Sequence, residues 1–332
     1  MRHQGEFGLR ESVTETSGSP ENDANTIFRS GYIAIAGRPN TGKSTFLNRV
    51  LGRKAAIVTP KAQTTRGRVL GVCERPGAQL IFLDTPGIHD PGRILLNQMM
   101  VRTAYEACRE ADVTLYFVEA GKGVTSEDGE ILERLNGTGP VILVFNKVDR
   151  TPSGRLMERL SAIPAQARER ITEVVPISAL NGRNVERLLD LLPGFLPEGP
   201  RYYPAGQWTD QPESFIIAEV IREKLFMHLR QELPYALAVR VISWSERSPP
   251  SRVRDLEAHI LVARESQKGI VIGHRGEGLK RVGAQARQEL EKLFGSPIFM
   301  QLQVRVEKEW NGDPRLLADL GYVDPEADAD YE

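Results

Sequence analysis

The octet GRPNTGKS, Gly37 to Ser44, constrains this chain more than any other stretch. It matches GxxxxGK[ST], follows the apolar run YIAIA and precedes FLNRVLG, which has helical periodicity. Glycines at those spacings let the backbone curl until successive N–H groups point at one spot, and a helix starting there adds its partial positive charge. The expected ligand is a chain of phosphates. Gly37, Arg38, Pro39, Asn40, Thr41 and Gly42 would form the cradle, with Lys43 reaching the β- and γ-phosphates. Ser44, followed by Thr45, would offer its hydroxyl to Mg²⁺.

Such a loop sits between a strand and a helix, and the sequence around it alternates accordingly. The runs YIAIAG, LIFLD, VTLYFVE, VILVFNK and EVVPIS are separated by amphipathic segments. Continuous apolar strands alternating with helices predict a doubly wound, mostly parallel sheet, an α/β P-loop domain over residues 31–192. Residues 1–30, rich in Ser, Thr, Glu and Asn, read as a disordered tail without the apolar core of a signal peptide. Residues 193–212 carry five prolines and three glycines and read as a linker. Residues 213–310 follow an α-β-β-α-α-β order. Its elements are an amphipathic helix from Glu213 to Leu229, the strands ALAVRVISW and EAHILVA, a glycine-bearing turn, a helix from Glu277 to Phe294 and the strand FMQLQVRVEK. This predicts a small α+β domain. Residues 311–332 close the chain with an acidic tail, DPEADADYE, expected to be unstructured.

Two domains suit a length of 332 residues, and the net charge of −1 excludes little, because a basic face can be offset elsewhere. Cys73 and Cys108 form no CxxC pair and read as small buried residues in a reducing compartment. No apolar run approaches the roughly 20 residues that span a bilayer, so a soluble, cytoplasmic protein is expected.

The base is read from VILVFNKVD, where Asn146, Lys147 and Asp149 form NKxD after a strand. A carboxylate at Asp149 accepts from guanine N1–H and N2–H₂, whereas adenine would leave that charge unpaired. The nucleotide expected is therefore GTP. Asn146 would brace the loop, the Lys147 stem would pack against the base, and ISAL puts Ser178 and Ala179 where the Ala179 N–H could meet guanine O6. Asp84, in DTPGIH, would hold Mg²⁺ through water, with Thr85, Pro86, Gly87 and Ile88 completing a loop beside the γ-phosphate. Ile88 has no polar atom with which to orient water. Between these motifs, TPKAQTTRGRV should supply a switch threonine whose hydroxyl completes the Mg²⁺ shell; Thr65 is the first choice and Thr64 the second.

The series GRPNTGKST, KAQTTR, DTPGIH, NKVD and SAL, followed by VIGHRGEGLKRVGAQARQELEKLFG and VEKEWNGDPRLLADLGY, resembles the Era family of GTPases from about Gly31 to Tyr322. The resemblance implies a C-terminal KH domain of the second topological type, matching the element order above. It implies GTP hydrolysis, binding of the 3′ end of 16S rRNA and a role in maturation of the 30S ribosomal subunit by a monomer. It also implies peripheral association with the inner membrane face. Within VIGHRGEGL, Ile272, Gly273, His274, Arg275 and Gly276 match the KH loop, with Lys280 and Arg281 following as phosphate-contacting candidates. Arg222, Arg240 and Lys308 are further candidates for that surface. Related GxPNxGKS GTPases use the loop asparagine to coordinate K⁺, which makes Asn40 a catalytic candidate beside Lys43 and Thr65, with carbonyls of Thr59 and Lys61 as further ligands. The departures are Thr41, where the family more often has an apolar residue, and a longer tail before Gly31. Two other readings stand beside this one: a GTP-powered RNA-modifying enzyme, disfavoured because no cysteine follows Cys108, and a switch whose second domain docks proteins.

Overall fold

A computed structural model describes residues 27–322 apart from 60, 62, 136, 138, 231, 232, 249 and 250. The tail before residue 27 and the acidic end after Tyr322, both expected to lack structure, lie outside the described residues.

The first unit contains β1 (Arg29–Gly37), α1 (Lys43–Leu51), β2 (Val69–Arg75), β3 (Ala78–Asp84), α2 (Leu95–Glu110) and β4 (Val113–Glu119). It continues with α3 (Ser126–Arg134), β5 (Val141–Asn146), α4 (Ser153–Ser161), α5 (Ala165–Arg170), β6 (Ile171–Pro176) and α6 (Val185–Leu191). The strand order is β2-β3-β1-β4-β5-β6, parallel except for the β2–β3 pair. Strands β3 and β5 are buried at every residue because both faces are covered. One face packs on α1 and α6 through Phe46, Leu47, Leu188 and Leu189, the other on α2 and α3 through Val101, Ala104, Cys108 and Leu132. Cys73 is only half-buried. Strand β1 takes in Arg29 and Ser30, assigned above to the tail; Ser30 is buried and hydrogen-bonds the Pro200 carbonyl at 2.5 Å.

The second unit is α7 (Glu213–His228), β7 (Leu237–Glu246), β8 (Arg254–Val262), α8 (Glu265–Ile272), α9 (Glu277–Phe294) and β9 (Ile298–Val306), with α10 (Pro314–Asp319) after it. β8 pairs antiparallel with β7 and parallel with β9, and α7 and α9 pack against this sheet. The expected amphipathic helix is corrected in one respect. Helix α7 is buried almost all round, because it lies between the two units: Phe215 joins the core of the first sheet, and Ile217, Val220, Ile221 and Leu225 join that of the second. Glu219, Arg222, Glu223 and Lys224 are buried too, as paired charges. Helix α10 follows the same logic. Leu316, Leu317, Leu320 and Tyr322 pack with Trp310, Ala238 and Leu261 against Leu96, Met99 and Met100 of α2.

The linker is not a free tether. Trp208 O accepts from Val72 N at 2.9 Å, Thr209 Oγ1 donates to Leu70 O at 2.6 Å, and Gln79 holds Tyr202 and Tyr203 through their backbone N–H groups. Residues 202–209 thus lie beside β2 and β3. Within the described residues no helix is long and apolar enough to cross a membrane.

Candidate nucleotide and RNA sites

The loop after β1 bends at Gly42, whose φ of 95° favours glycine and where a Cβ would come within 2.2 Å of Asn146 Nδ2. It opens on a cavity of about 420 Å³. Pro39, Asn40, Gly42, Lys43, Ser44 and Thr45 line one side, Thr59, Lys61, Gln63, Thr64 and Thr65 the switch side, and Asn146, Lys147, Asp149 and Ala179 the far end. The cavity sits at the C-terminal ends of parallel strands, where open α/β sheets bind their ligands.

At the phosphate end Lys43 is buried and donates to the carbonyls of Gly37 at 3.0 Å and Arg38 at 3.1 Å. Burial lowers its pKa to about 8, partly offset by Asp84. Burial likewise raises Asp84 to about 6, against the opposing pull of Lys43 and the Ser44 hydrogen bond. Phosphates in the cradle would return Lys43 to a strongly basic group. Ser44 Oγ donates to Asp84 Oδ2 at 2.6 Å and lies 2.9 Å from Thr65 Oγ1. Asp84 Oδ1 is buried without a partner among the described residues. Three converging oxygens and an unspent carboxylate acceptor fit a hard divalent cation such as Mg²⁺. Thr64 Oγ1, the second choice, turns into its own loop, 2.7 Å from Lys61 O and from Thr59 Oγ1. That bond also occupies the Lys61 carbonyl considered for K⁺.

At the base end Asn146 joins two loops: Nδ2 donates to Thr41 O at 2.8 Å, and Oδ1 accepts from Ala179 N at 2.9 Å. The Ala179 N–H, expected to meet guanine O6, is here hydrogen-bonded to Asn146 Oδ1. Ser178 Oγ donates to Asp149 Oδ1 at 2.5 Å and aims that carboxylate. Lys147, at φ 68°, spans the loops, with Nζ on Asn40 O at 2.6 Å and on Glu119 Oε2 at 3.1 Å.

Several predicted residues stand outside the described lining. Arg38 turns away to Thr125 and Glu127. Thr85 is buried with its hydroxyl on Ile35 O at 2.8 Å, and Pro86 likewise contributes no lining surface. Ile88 is packed in the core beside Ala34, Val101 and Ala104, so its side chain has no access to water at the phosphates. Thr41, the family departure, satisfies its hydroxyl on Arg38 O at 2.9 Å. Ile57, Val58 and Arg150 line the cavity without belonging to any motif, and only their adjacency to the switch and NKxD pointed to them; Leu180, the last residue of SAL, lines it too.

In the second unit, α8 ends at Gly273, where φ is 73° and a Cβ would come within 2.9 Å of the Gly278 nitrogen. His274 and Arg275 project exposed from the turn, and α9 starts at Glu277. Beside it lies a groove of about 450 Å³ lined by Gly276, Leu279, Lys280, Gly283, Ala284, Arg287, Met300 and Leu302. Glycine and alanine on α9 keep its floor low, so a flat base can approach the sheet while Lys280 and Arg287 stand at the rim. Ile272 is half-buried; Arg281 is exposed but outside the described lining. Arg222 is corrected outright: it is fully buried between the units and contributes nothing to this surface. Arg240 lies on β7 and Lys308 is exposed after β9.

Comparison with known proteins places these sites in a family. A model described as 50S ribosome-binding GTPase matches residues 32–147, and a KH domain model matches residues 232–311. The curated GTPase Era of Geobacter metallireducens is 49% identical over 297 residues, covering 89% of this chain and 98% of its own. That of Staphylococcus haemolyticus is 45% identical over 300 residues, with coverage of 90% and 99%. A crystallised variant of Aquifex aeolicus Era bound to GDP and AlF₄⁻ superposes with a TM-score of 0.85 at 40% identity, covering 89% of this chain and 100% of its own. Era in complex with MgGDPNP and nucleotides 1506–1542 of 16S ribosomal RNA matches at the same TM-score and identity, covering 89% of this chain and 99% of its own. A P-loop cavity bordered by an NKxD loop, joined to a KH domain and matched along nearly the whole length of these relatives, establishes that the chain belongs to the Era family of GTPases.

Proposed function

We propose that this protein is a GTP-hydrolysing switch that binds the 3′ end of 16S rRNA through its KH domain and assists assembly of the 30S subunit. The observation that carries the reading is that one relative, solved with MgGDPNP and a 16S rRNA segment together, matches this chain over both domains. Asp149 selects guanine, Lys43 holds the β- and γ-phosphates, and Ser44, Thr65 and Asp84 hold Mg²⁺. Bound Mg²⁺ supplies charge neutralisation at those phosphates. On the RNA side, Gly273 and Gly276 bring the loop backbone close to a single strand, while Arg275, Lys280 and Arg287 meet its phosphates.

The test is binding of a single-stranded 16S 3′-end oligonucleotide at two salt concentrations. Replacing His274 and Arg275 together by Asp sets carboxylates against phosphates, so binding should fall by at least about 100-fold and the salt dependence should flatten. Circular dichroism of the variant should match the parent. A folded variant that binds this RNA as tightly as the parent would move the protein-docking reading of the second domain to the front.

With Ile88 in the core, this reading assigns the catalytic aid to K⁺ held by Asn40, which lines the cavity beside Lys43 and Thr59. A cation there would stabilise charge growing on the β–γ bridging oxygen. Hydrolysis should run faster in K⁺ than in Na⁺, and Asn40→Ala should erase the difference; equal rates in the two salts would remove K⁺ from the reaction.

A further inference from the structure

The switch segment is held largely from outside its own domain. Among residues 58–68, between α1 and β2, the described ones form no helix or strand, yet contacts with the second domain occur along them. Val58 N donates to Glu223 Oε1 at 3.2 Å, and Lys61 Nζ reaches the carbonyls of Phe226 and Leu229. Arg222 Nη2 donates to Thr64 O. Arg66 Nη1 donates to Leu237 O at 2.6 Å, and its Nη2 to Pro234 O and Tyr235 O at 3.2 and 3.0 Å. Thr65 is therefore bracketed: the residue before it gives its carbonyl to the second domain, and the residue after it buries a guanidinium there.

Buried guanidinium groups persist only where hydrogen bonds and opposite charge compensate their lost hydration. Arg66 meets this with three carbonyls and the rings of Phe226, Trp310 and Tyr322. Arg222 meets it differently. Its Nε and Nη2 grip Glu219 at 2.7 and 2.5 Å, which fixes the planar fork, and Nη2 is shared with the switch carbonyl. Nη1 is buried with no partner among the described residues. A group whose donors were optimised for stability alone would not leave one unspent, whereas a fork aimed at Thr64 O accepts that cost.

We propose that Arg222 is a positioning residue for GTP hydrolysis. By holding the Thr64 carbonyl it keeps the Thr65 hydroxyl beside Ser44, so that the second domain completes the triphosphate site of the first. The proposal rests on the reading of Thr65 as a Mg²⁺ ligand. It separates two nucleotide states: a switch threonine serves the γ-phosphate and its metal, so loss of the brace should weaken the GTP state and spare GDP.

The experiment uses the full chain and three variants. Arg222→Lys keeps a charge but cannot grip Glu219 and Thr64 O with one rigid fork. The double variant Glu219→Leu/Arg222→Met removes the buried pair as a unit, which a fold tolerates better than an orphaned carboxylate. Thr65→Val tests the underlying reading. Single-turnover hydrolysis is measured against Mg²⁺ concentration, together with GDP affinity. The double variant should hydrolyse about 10- to 100-fold more slowly and need more Mg²⁺ for half-maximal rate, with GDP affinity within about twofold of the parent. Arg222→Lys should fall between. If Thr65→Val is impaired while the double variant has the parent rate and Mg²⁺ requirement, the positioning role is wrong and the reading of Thr65 stands. Should Thr65→Val behave as the parent, that reading fails and the proposal with it. Equal weakening of GDP and GTP in the double variant would reduce Arg222 to a packing residue.

Discussion

The two ends of the nucleotide cavity are built on different plans. At the base end every brace comes from within the first domain: Asn146 ties Thr41 to Ala179, and Ser178 aims Asp149. At the phosphate end the cradle is equally local, but the switch segment beside it leans on Arg222, Glu223 and the carbonyls of Phe226 and Leu229 at the end of α7. The difference teaches how one fold keeps a constant and a variable apart. The identity of the base never changes through a hydrolytic cycle, and the loops proposed to read it are braced from within their own domain. The number of phosphates does change, and the segment proposed to register it lies at the interface with the KH domain, which carries the groove beside Gly273 and Gly276.

The largest expected effect tests the internal end. Asp149→Asn should exchange guanine for xanthine preference, with a swing on the order of 10⁴, because an acceptor covered by the bound base must meet a donor. The swing should be the same for diphosphates and triphosphates in a competition assay; a swing confined to triphosphates would break the separation of the two ends. Next in size, Leu317→Ala opens a cavity between α10 and α2 and should cost about 2–5 kcal/mol of interface stability. Hydrolysis should fall while GDP affinity holds, and a parallel loss of GDP affinity in calorimetry would mean that the base end also depends on the second domain. Asn146→Ala should cost about 1–3 kcal/mol and weaken GDP and GTP alike, by roughly 10- to 100-fold, as it strands the Ala179 N–H. Unequal losses would show that Asn146 takes part in the switch. The smallest effect belongs to Lys54, which joins Glu223 and Glu289 across the interface but stays partly exposed. Lys54→Met should change thermal stability by no more than about 1 kcal/mol and make it less dependent on salt.

Much of the first domain was legible because its motifs act through backbone and local geometry: GRPNTGKS, DTPG and NKVD each lie where one strand ends and one loop begins. The KH element order was legible for the same reason, from α7 to β9. What could not be read was the meeting of the two. Helix α7 looked amphipathic because Glu219, Arg222, Glu223 and Lys224 are charged, and only tertiary pairing makes such residues interior. Nothing next to Arg66 in sequence marks it as interior, yet it is 1% exposed, since its partners lie more than 160 positions further on. Ile88 was legible as a non-catalytic residue but not as a core residue, because a single apolar side chain in a loop carries no periodicity.

The linker pinned beside β2 and β3 has a consequence for how far the two domains can part. A free chain of that length would let the second domain explore a wide volume once its interface loosened. Here Tyr202, Tyr203, Trp208 and Thr209 are fastened to the first sheet, so the slack left before α7 begins at Glu213 is a few residues. Separation is then a pivot about Pro212, not an escape. The local concentration of the second domain at the switch stays in the millimolar range or above even when contacts are broken. Redocking from any separated state would be a first-order event whose rate is indifferent to protein concentration. The strap also lies against the edge strand β2, whose unpaired backbone would otherwise be open to strands of other chains.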